Sequence, residues 1–315
     1  MSRVDRNNPI RSSASESRYT LFEFDREFPD DAACLEWLVR YRYPDGIYCP
    51  KCEKVTKHHR EKKRPSYSCQ FCGHRVHPMV GTIFEDSATS LRLWFYAIYL
   101  MASTRCGISA KQLERELGVT YKTAWRMFKQ IRSLLTQDDE PMQGEVEVDE
   151  TWVGGKPRAG EVRTKQEAGK WKDRKTPVFG MVERQGKVAA YVVPNSRQAS
   201  VFPIVQQRVL PRSLVYSDDF PMYRGLRHRG YRHQSVNHSQ KVYVMGDVHT
   251  NTIEGFFALL KSGIRGAYHA VSPKYLQTYL DEFAFRYNHR DAGERGMFSA
   301  FLGRLPTASS PETSL

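Results

Sequence analysis

Two segments decide the fold of this chain: SLVYSDD at residues 213–219 and HTNTIEGFFALLK at residues 249–261. The first is a short apolar run that ends in two carboxylates, which is typical of a buried strand whose last residues emerge at the edge of a sheet. The second predicts a helix, with Asn251 as its N-cap, Glu254 at the third helical position and an apolar face of Phe and Leu side chains. The chain therefore has acids where a strand ends and where a helix begins.

A third acid, Asp149, lies earlier in GEVEVDETW (144–152), where valines alternate with polar residues as in a strand. A buried carboxylate is costly unless a positive partner joins it. Acids that converge from separate elements suit Mg²⁺ or Mn²⁺, and two such ions ~3.5–4 Å apart can serve a phosphodiester displacement. Each acid alone is more simply interpreted as part of a turn or a helix cap, but the three together favour a metal site.

Asp149, Asp218 and Glu254, with 35 residues between the last two, resemble the acids of DDE transposases and retroviral-type integrases. This spacing favours Asp218 over Asp219 as the second acid. Lys261 follows Glu254 by seven positions, a spacing similar to that of bacterial insertion-sequence transposases. Nearly all of residues 21–300 resemble one family of insertion-sequence transposases. The segments that carry this resemblance are FPDDAACLEWLVRYRYPDGIYCPKC, GTIF, ISAKQLERELGVTYKTAWRM, VDETWVGGK and YLDEFAFRYNHR.

The resemblance implies a multidomain α/β protein: a zinc ribbon plus a helix-turn-helix, followed by an RNase-H-like mixed-sheet catalytic domain. We place a helix and the zinc ribbon at 21–85, the helix-turn-helix at 88–137 and the RNase-H-like DDE transposase domain at 145–300, with tails at 1–20 and 301–315. In the RNase-H-like fold the first and fourth strands are neighbours. Asp149 and Asp218 would then lie side by side, with the helix of Glu254 packed across them.

Periodicity in the second half of the chain predicts the order of elements that this fold requires. Strands are predicted at 145–153, 177–185, 187–195, 213–218 and 231–236, and helices near 198–209, 220–227, 251–266 and 273–288. Gln185-Gly186 is the predicted hairpin turn between the second and third strands. Residues 156–175 contain eight Lys or Arg and few apolar side chains, which fits either a mobile loop that grips DNA or a merely solvated loop.

Two C-x₂-C pairs, CPKC at 49–52 and CQFC at 69–72, predict a zinc site. Two disulfides or a redox pair are the alternatives, and both fit poorly with a reduced compartment. Four thiolates complete a tetrahedron, so the nearby histidines are expected to face phosphate or solvent. The predicted ligands of a structural Zn²⁺ are Cys49, Cys52, Cys69 and Cys72, and the histidines that could compete are His58, His59, His74 and His77.

Helical spacing predicts one helix over 30–43 and three more between residues 90 and 135, the last two joined by a short turn. On the final helix, Lys122, Arg126 and Lys129 share one face, away from an apolar stripe. This basic face suits contact with DNA, and an ordinary solvated face is the alternative. The resemblance adds Lys261 as a contact to a phosphate of the terminal DNA.

The formal charge of +13 and the pI of about 9.5 favour a polyanionic partner, nucleic acid before an anionic membrane surface. The longest apolar run, LWFYAIYLMA at 93–102, is about half the length of a membrane span. The first twenty residues lack the apolar core of a signal peptide. We therefore predict a cytoplasmic, nucleoid-associated protein without membrane contact.

The function that these features predict is that of an insertion-sequence transposase. It would bind the terminal inverted repeats and the target DNA, and it would use two Mg²⁺ or Mn²⁺ ions for strand cleavage and transfer. Synapsis of two DNA ends implies a homodimer or a larger assembly. Two alternatives stay open: a catalytically inactive, domesticated DNA-binding regulator, which needs only residues 30–135, and an RNase-H-like nuclease without transposition.

Overall fold

The computed structural model describes residues 19–62, 64–154, 175–219, 221–236 and 249–307. Most of the two predicted tails and nearly all of the predicted basic loop at 156–175 lie outside these residues. The chain forms two compact units. The first comprises Met1–Thr104, Ala110–Leu134 and Ala292–Leu315, and the second comprises Arg105–Ser109 and Leu135–Asp291.

The described strands between residues 48 and 76 are short, and the elements elsewhere are longer. The helices are α1 (Leu21–Glu27), α2 (Asp31–Arg42), α3 (Leu91–Ser103), α4 (Ala110–Leu117), α5 (Tyr121–Ser133), α6 (Gln198–Arg208), α7 (Asn251–Gly263), α8 (Pro273–Asn288) and α9 (Gly293–Leu302). The strands are β1 (Tyr48–Cys49), β2 (Lys54–Val55), β3 (His58–Arg60), β4 (Tyr67–Cys69), β5 (Arg75–Val76), β6 (Glu145–Val153), β7 (Thr176–Glu183), β8 (Val188–Val192), β9 (Leu214–Asp218) and β10 (Arg232–Val236). A 3₁₀ helix spans Pro221–Arg229, and a π-helical turn, Ile264–Tyr268, extends α7.

An aromatic core holds the first unit together around α3. Trp94, Phe95 and Ile98 of this helix are fully buried because apolar residues occur almost all round it. Phe298 of α9 stacks on Tyr19, with ring centroids 5.2 Å apart. Helix α9 therefore belongs to the first unit, whereas the prediction placed residues up to 300 in the catalytic domain. None of the described helices combines the length and the apolarity that a membrane span requires.

The second unit is built on a five-stranded sheet in the order β10-β9-β6-β7-β8. Strands β6, β7 and β8 form an antiparallel meander, while β9 runs parallel to β6 and β10 runs parallel to β9. The first and fourth strands of this sheet are neighbours, as the resemblance to the RNase-H-like fold implied. The predicted mixed α/β fold class is confirmed, as is the hairpin turn at Gln185, whose φ is +60°.

Helices cover both faces of the sheet, and alternation along β6 divides its side chains between them. Val146 and Val148 pack in one core cluster with residues of α6 and of the 3₁₀ helix. Val153 packs in a second cluster with α7 and α8, whose buried residues include Ile253 and Leu280. Since successive strand residues point to opposite faces, the odd-numbered residues of β6 face α7.

Candidate functional site

Strands β6 and β9 place Asp149 and Asp218 next to each other. Their parallel register pairs Glu147 with Tyr216, and each acid lies two residues further along its own strand. Two residues are one full period of a strand, so both acids share the sheet face of Glu147 and Tyr216. The two acids predicted from the sequence are therefore neighbours on adjacent strands, on the face that α7 covers.

A glycine on the third strand of the site lets α7 approach this face. Gly180 of β7 is the partner of Asp149 across the antiparallel pair. A Cβ at Gly180 would lie 2.6 Å from Phe257 Cζ and 2.9 Å from Ile253 Cδ1 of α7. Only a residue without a side chain permits this contact, which seats the first turns of α7, and with them Glu254, over the strand of Asp149.

The charges of the other two acids affect the pKa of Asp149. Burial raises the pKa of its carboxyl to about 7, although the Glu150 backbone N–H donates to Asp149 Oδ1 at 2.8 Å and lowers it. The negative charges of Asp218 and Glu254 raise this pKa further, and the positive charge of Lys261 lowers it. All four side chains thus belong to one electrostatic cluster that carries more negative than positive charge.

The acids are close but do not surround a single ion position. Among the described residues, only the four cysteines bring three or more potential metal-ligating atoms within 4.8 Å of one another. The structure therefore places Asp149, Asp218 and Glu254 on one side of the sheet, but their carboxylate oxygens do not all lie within 4.8 Å of one another.

The start of α7 differs from the prediction. Thr250 is the N-cap, and Asn251 is the first helical residue, so the predicted cap is wrong by one position. The Thr250 hydroxyl donates to Glu254 Oε1 at 3.0 Å and does not cap the helix. The amides of Thr252 and Ile253 instead donate to the carboxylate of Glu147 on β6. A local cap is unnecessary because a distant strand supplies the acceptor.

The four predicted zinc ligands form one cluster in the first unit. Cys49 Sγ lies 3.4 Å from Cys72 Sγ, Cys52 Sγ lies 3.9 Å from Cys69 Sγ, and all four cysteines are free thiols. The cluster includes no histidine. A hydrogen bond from Thr56 lowers the pKa of Cys69 to about 5, which favours a thiolate there. Four sulfur ligands at this spacing suit a structural zinc ion.

Both halves of this architecture match known transposase families. The ISXO2-like transposase domain matches residues 141–288, which include all three acids, and the transposase zinc-ribbon domain matches residues 29–75, which include the four cysteines. An uncharacterized transposase-like protein of Haemophilus influenzae is 30% identical over 105 residues, which are 33% of this chain and 84% of that protein. The chain belongs to the ISXO2-like transposase family.

Other similarities of this transposase extend over more of its length. An uncharacterized protein in the transposable element ISH50 of Halobacterium salinarum is 29% identical over 274 residues, covering 83% of this chain and 92% of that protein. Among solved structures, a chain is 14% identical in the simian T-cell lymphotropic virus intasome in complex with PP2A regulatory subunit B56 gamma. The match covers 58% of this protein and 66% of the intasome structure's chain, with a TM-score of 0.28. A chain of a pre-cleavage Mos1 transpososome is 12% identical. The match covers 64% of this protein and 75% of the transpososome chain, with a TM-score of 0.26.

The predicted DNA contacts of this transposase are exposed. Lys122, Arg126 and Lys129 are exposed on α5, and Lys261 is exposed in the last turn of α7. Arg126 is the most constrained of them, because its Nη2 donates to Ser87 Oγ at 3.0 Å and its guanidinium lies 5.7 Å from the centre of the Trp94 ring. No side-chain contact of this kind to another described residue is seen for Lys122, Lys129 or Lys261.

Two further acids lie on β6 beside Asp149, although the sequence analysis did not select them. Glu147 is fully buried and contacts the start of α7. Glu150 lies on the opposite sheet face, where it accepts a hydrogen bond from the buried hydroxyl of Tyr223. Burial raises the pKa of Glu150 to about 8. Both acids occur in the same alternating stretch as Asp149, and that pattern alone does not distinguish their roles.

We expect Gly180→Ala to destabilise the second unit by about 1–3 kcal/mol, because the new methyl group overpacks against Phe257 and Ile253. It should also slow DNA cleavage, since α7, which carries Glu254, must move away from the sheet. Gly255→Ala is the matched control: its Cβ would meet no atom of the described residues within 4 Å, and alanine favours a helix by up to ~1 kcal/mol over glycine. Thermal unfolding of both variants checks this, and equal stability of the Gly180 variant and wild type would contradict it.

We also expect the metal-free protein to lose stability as the pH rises from about 4 to 7. The pKa of Asp149 is 3.8 ordinarily and about 7 in the fold, so between these values the native state holds a proton that the unfolded chain has released. Calorimetry in a chelator should give a lower Tm at pH 8 than at pH 5.5, with a smaller difference in Asp149→Asn. The control is Asp219→Asn, which removes an exposed acid just after β9. An unchanged difference in Asp149→Asn would refute the expectation.

Proposed function

We propose that this protein cleaves DNA at the ends of its element and joins the freed ends to target DNA, with divalent cations held by Asp149, Asp218 and Glu254. One observation supports the proposal: Asp149 and Asp218 lie on adjacent strands, on the sheet face that α7 covers, and the charges of Asp218 and Glu254 both act on Asp149. Membership of a transposase family supports the same reaction class.

The residues present fit Mg²⁺ or Mn²⁺. The pKa of Asp149 lies near 7 because burial and the negative charges of Asp218 and Glu254 outweigh the hydrogen bond from the Glu150 N–H and the charge of Lys261. A hard divalent cation is the partner that carboxylate oxygens prefer, and it would remove this imbalance. When bound, two such ions stabilise charge on the attacking and leaving oxygens of a phosphodiester.

The chain's own residues would orient the reactants. Asp149 and Asp218 fix two carboxylates on neighbouring strands, and Gly180 lets α7 bring Glu254 over them. Lys261, two turns further along α7, would hold a phosphate of the terminal DNA strand by charge. Preorganised charges of this kind need little rearrangement when the phosphodiester reacts.

The first unit would recognise the ends of the element. A zinc ion on Cys49, Cys52, Cys69 and Cys72 would fix the short strands of the ribbon, which are too small to hold themselves together. The exposed basic face of α5 would contact DNA at the terminal inverted repeats, as a helix-turn-helix does. Joining two DNA ends requires both to be held at once, so we propose a homodimer or a larger assembly in action.

A strand-transfer assay tests this function. The full-length protein is incubated with DNA that carries the element's terminal repeats, with target plasmid, and with or without Mg²⁺. We expect nicks at the element ends and joined products only in the presence of the ion. Nicks without joined products would indicate a nuclease instead, and end binding without any cleavage would indicate a DNA-binding regulator.

A further inference from the structure

We propose that Glu147 is a positioning residue that fixes the helix of Glu254 against the strand of Asp149. This inference rests on the proposed function, which gives those two acids a common task. Glu147 lies on β6 two residues before Asp149, on the same sheet face, and is fully buried. A buried carboxylate is costly unless several donors satisfy it, so its contacts show what the fold gains from it.

Those contacts lie at the first turn of α7. Glu147 Oε2 accepts from the backbone N–H of Thr252 at 2.8 Å and of Ile253 at 3.1 Å. Glu147 Oε1 accepts from the Thr252 hydroxyl at 2.9 Å. The first amides of a helix have no partner within it, and their partial positive charge favours an anion. Glu147 is thus the cap of α7, supplied from 105 positions earlier in the chain.

The guanidinium of Arg184 pairs with the carboxylate of Glu147 and also holds the segment before α7. Arg184 Nε donates to Glu147 Oε1 at 2.9 Å, and Arg184 Nη2 donates to the carbonyl of His249 at 3.1 Å. The guanidinium lies 4.0 Å from the centre of the Tyr216 ring on β9. His249 Nδ1 lies 3.2 Å from Glu147 Oε1. Strands β6 and β9 and the start of α7 therefore meet at one ion pair.

The ion pair between Glu147 and Arg184 lies where the separation of Asp149 and Glu254 is determined. Glu254 follows the capped amides within the first turn of α7, and Asp149 follows Glu147 by one strand period. Any movement of α7 along or away from β6 must break the hydrogen bonds to Glu147. A weakened cap should therefore change the distance between the carboxyls of Asp149 and Glu254, and with it the affinity for a shared cation.

The test is Glu147→Gln in the full-length protein, which keeps the side chain's size and removes its charge. We expect the amides at the start of α7, in peptides from 249 onward, to exchange hydrogen at least tenfold faster by mass spectrometry. We also expect Mn²⁺ binding by titration calorimetry to weaken by about 10–100-fold, as is typical when a group that orients a metal ligand is lost. Peptides from β7 and β8 should exchange as in wild type.

Glu145→Gln is the matched control. Glu145 lies on the same strand and the same face and accepts from Arg184 Nη1 at 2.8 Å. Its side chain is 47% exposed and, in the part of the chain that the structure describes, makes no hydrogen bond to α7. We expect it to change neither exchange nor Mn²⁺ affinity. Should Glu147→Gln fail to fold, Thr252→Val removes one hydroxyl donor and keeps the backbone contacts, and it should shift both quantities in the same direction by a smaller factor.

The outcomes separate this proposal from the proposed function. Unchanged exchange in Glu147→Gln, or faster exchange with unchanged Mn²⁺ affinity, would overturn the positioning role. If wild type neither binds Mn²⁺ nor transfers strands, the proposed function fails, and the positioning role fails with it whatever the exchange of α7 shows. The proposal is supported if the wild-type protein is active and Glu147→Gln shows both faster exchange at the start of α7 and weaker Mn²⁺ binding.

Discussion

Asp149→Asn is expected to reduce strand cleavage and transfer by about a thousandfold or more while DNA-end binding stays close to that of wild type. Asparagine keeps the shape of the side chain but replaces a charged oxygen with an amide nitrogen that cannot bind a cation. The lost ions contribute several kcal/mol of charge stabilisation, and each ~1.4 kcal/mol corresponds to a factor of ten in rate. End binding persists because the basic face of α5 does not depend on Asp149.

The controls for this variant come from its neighbours. Asp218→Asn and Glu254→Gln should give losses of similar size, since each removes one of the three proposed cation ligands. Asp219→Asn should stay active, because Asp219 is exposed just beyond the end of β9. An inactive Asp219 variant beside an active Asp218 variant would contradict the strand register that selects Asp218. Fluorescence anisotropy with labelled end DNA measures binding separately from the gel assay of cleavage.

The second large effect concerns zinc. We expect Cys69→Ser to abolish stoichiometric zinc binding and to unfold the ribbon at residues 46–76. Structural zinc contributes on the order of 10–16 kcal/mol in zinc-finger peptides, which is as much as the whole stability of a typical domain. Elemental analysis should show one zinc per wild-type chain and none in the variant, and hydrogen exchange should show loss of protection over the ribbon.

Cys106→Ser is the control for the zinc variant, because Cys106 is exposed and outside the cluster. It should retain one zinc per chain and normal protection. A Cys69 variant that keeps a full equivalent of zinc with an intact ribbon would refute the four-cysteine site.

Local patterns in the sequence were sufficient for much of the fold. The alternation of valine with polar residues predicted both bounds of β6 correctly. In a strand with one apolar and one polar face, apolar and polar residues alternate along the sequence. The two C-x₂-C pairs identified the cysteine cluster, since each pair forms its own tight turn and only their meeting is non-local. Helix α8 was predicted at 273–288 with the bounds that the structure gives.

Features that depend on distant partners were missed. The cap of α7 comes from Glu147, 105 positions away, so a local search for an N-cap chose Asn251 instead of Thr250. The short helices α1 and α9 were not predicted, because their aromatic residues are buried against each other from opposite ends of the chain. The function of Gly180 is visible only when α7 is in place over the sheet.

Anomalous diffraction from crystals soaked in Mn²⁺ tests the central claim most directly. We predict two manganese peaks about 3.5–4 Å apart on the sheet face that α7 covers, bound by Asp149, Asp218 and Glu254. Occupied manganese sites elsewhere, with these three carboxylates separate and without an ion, would contradict it.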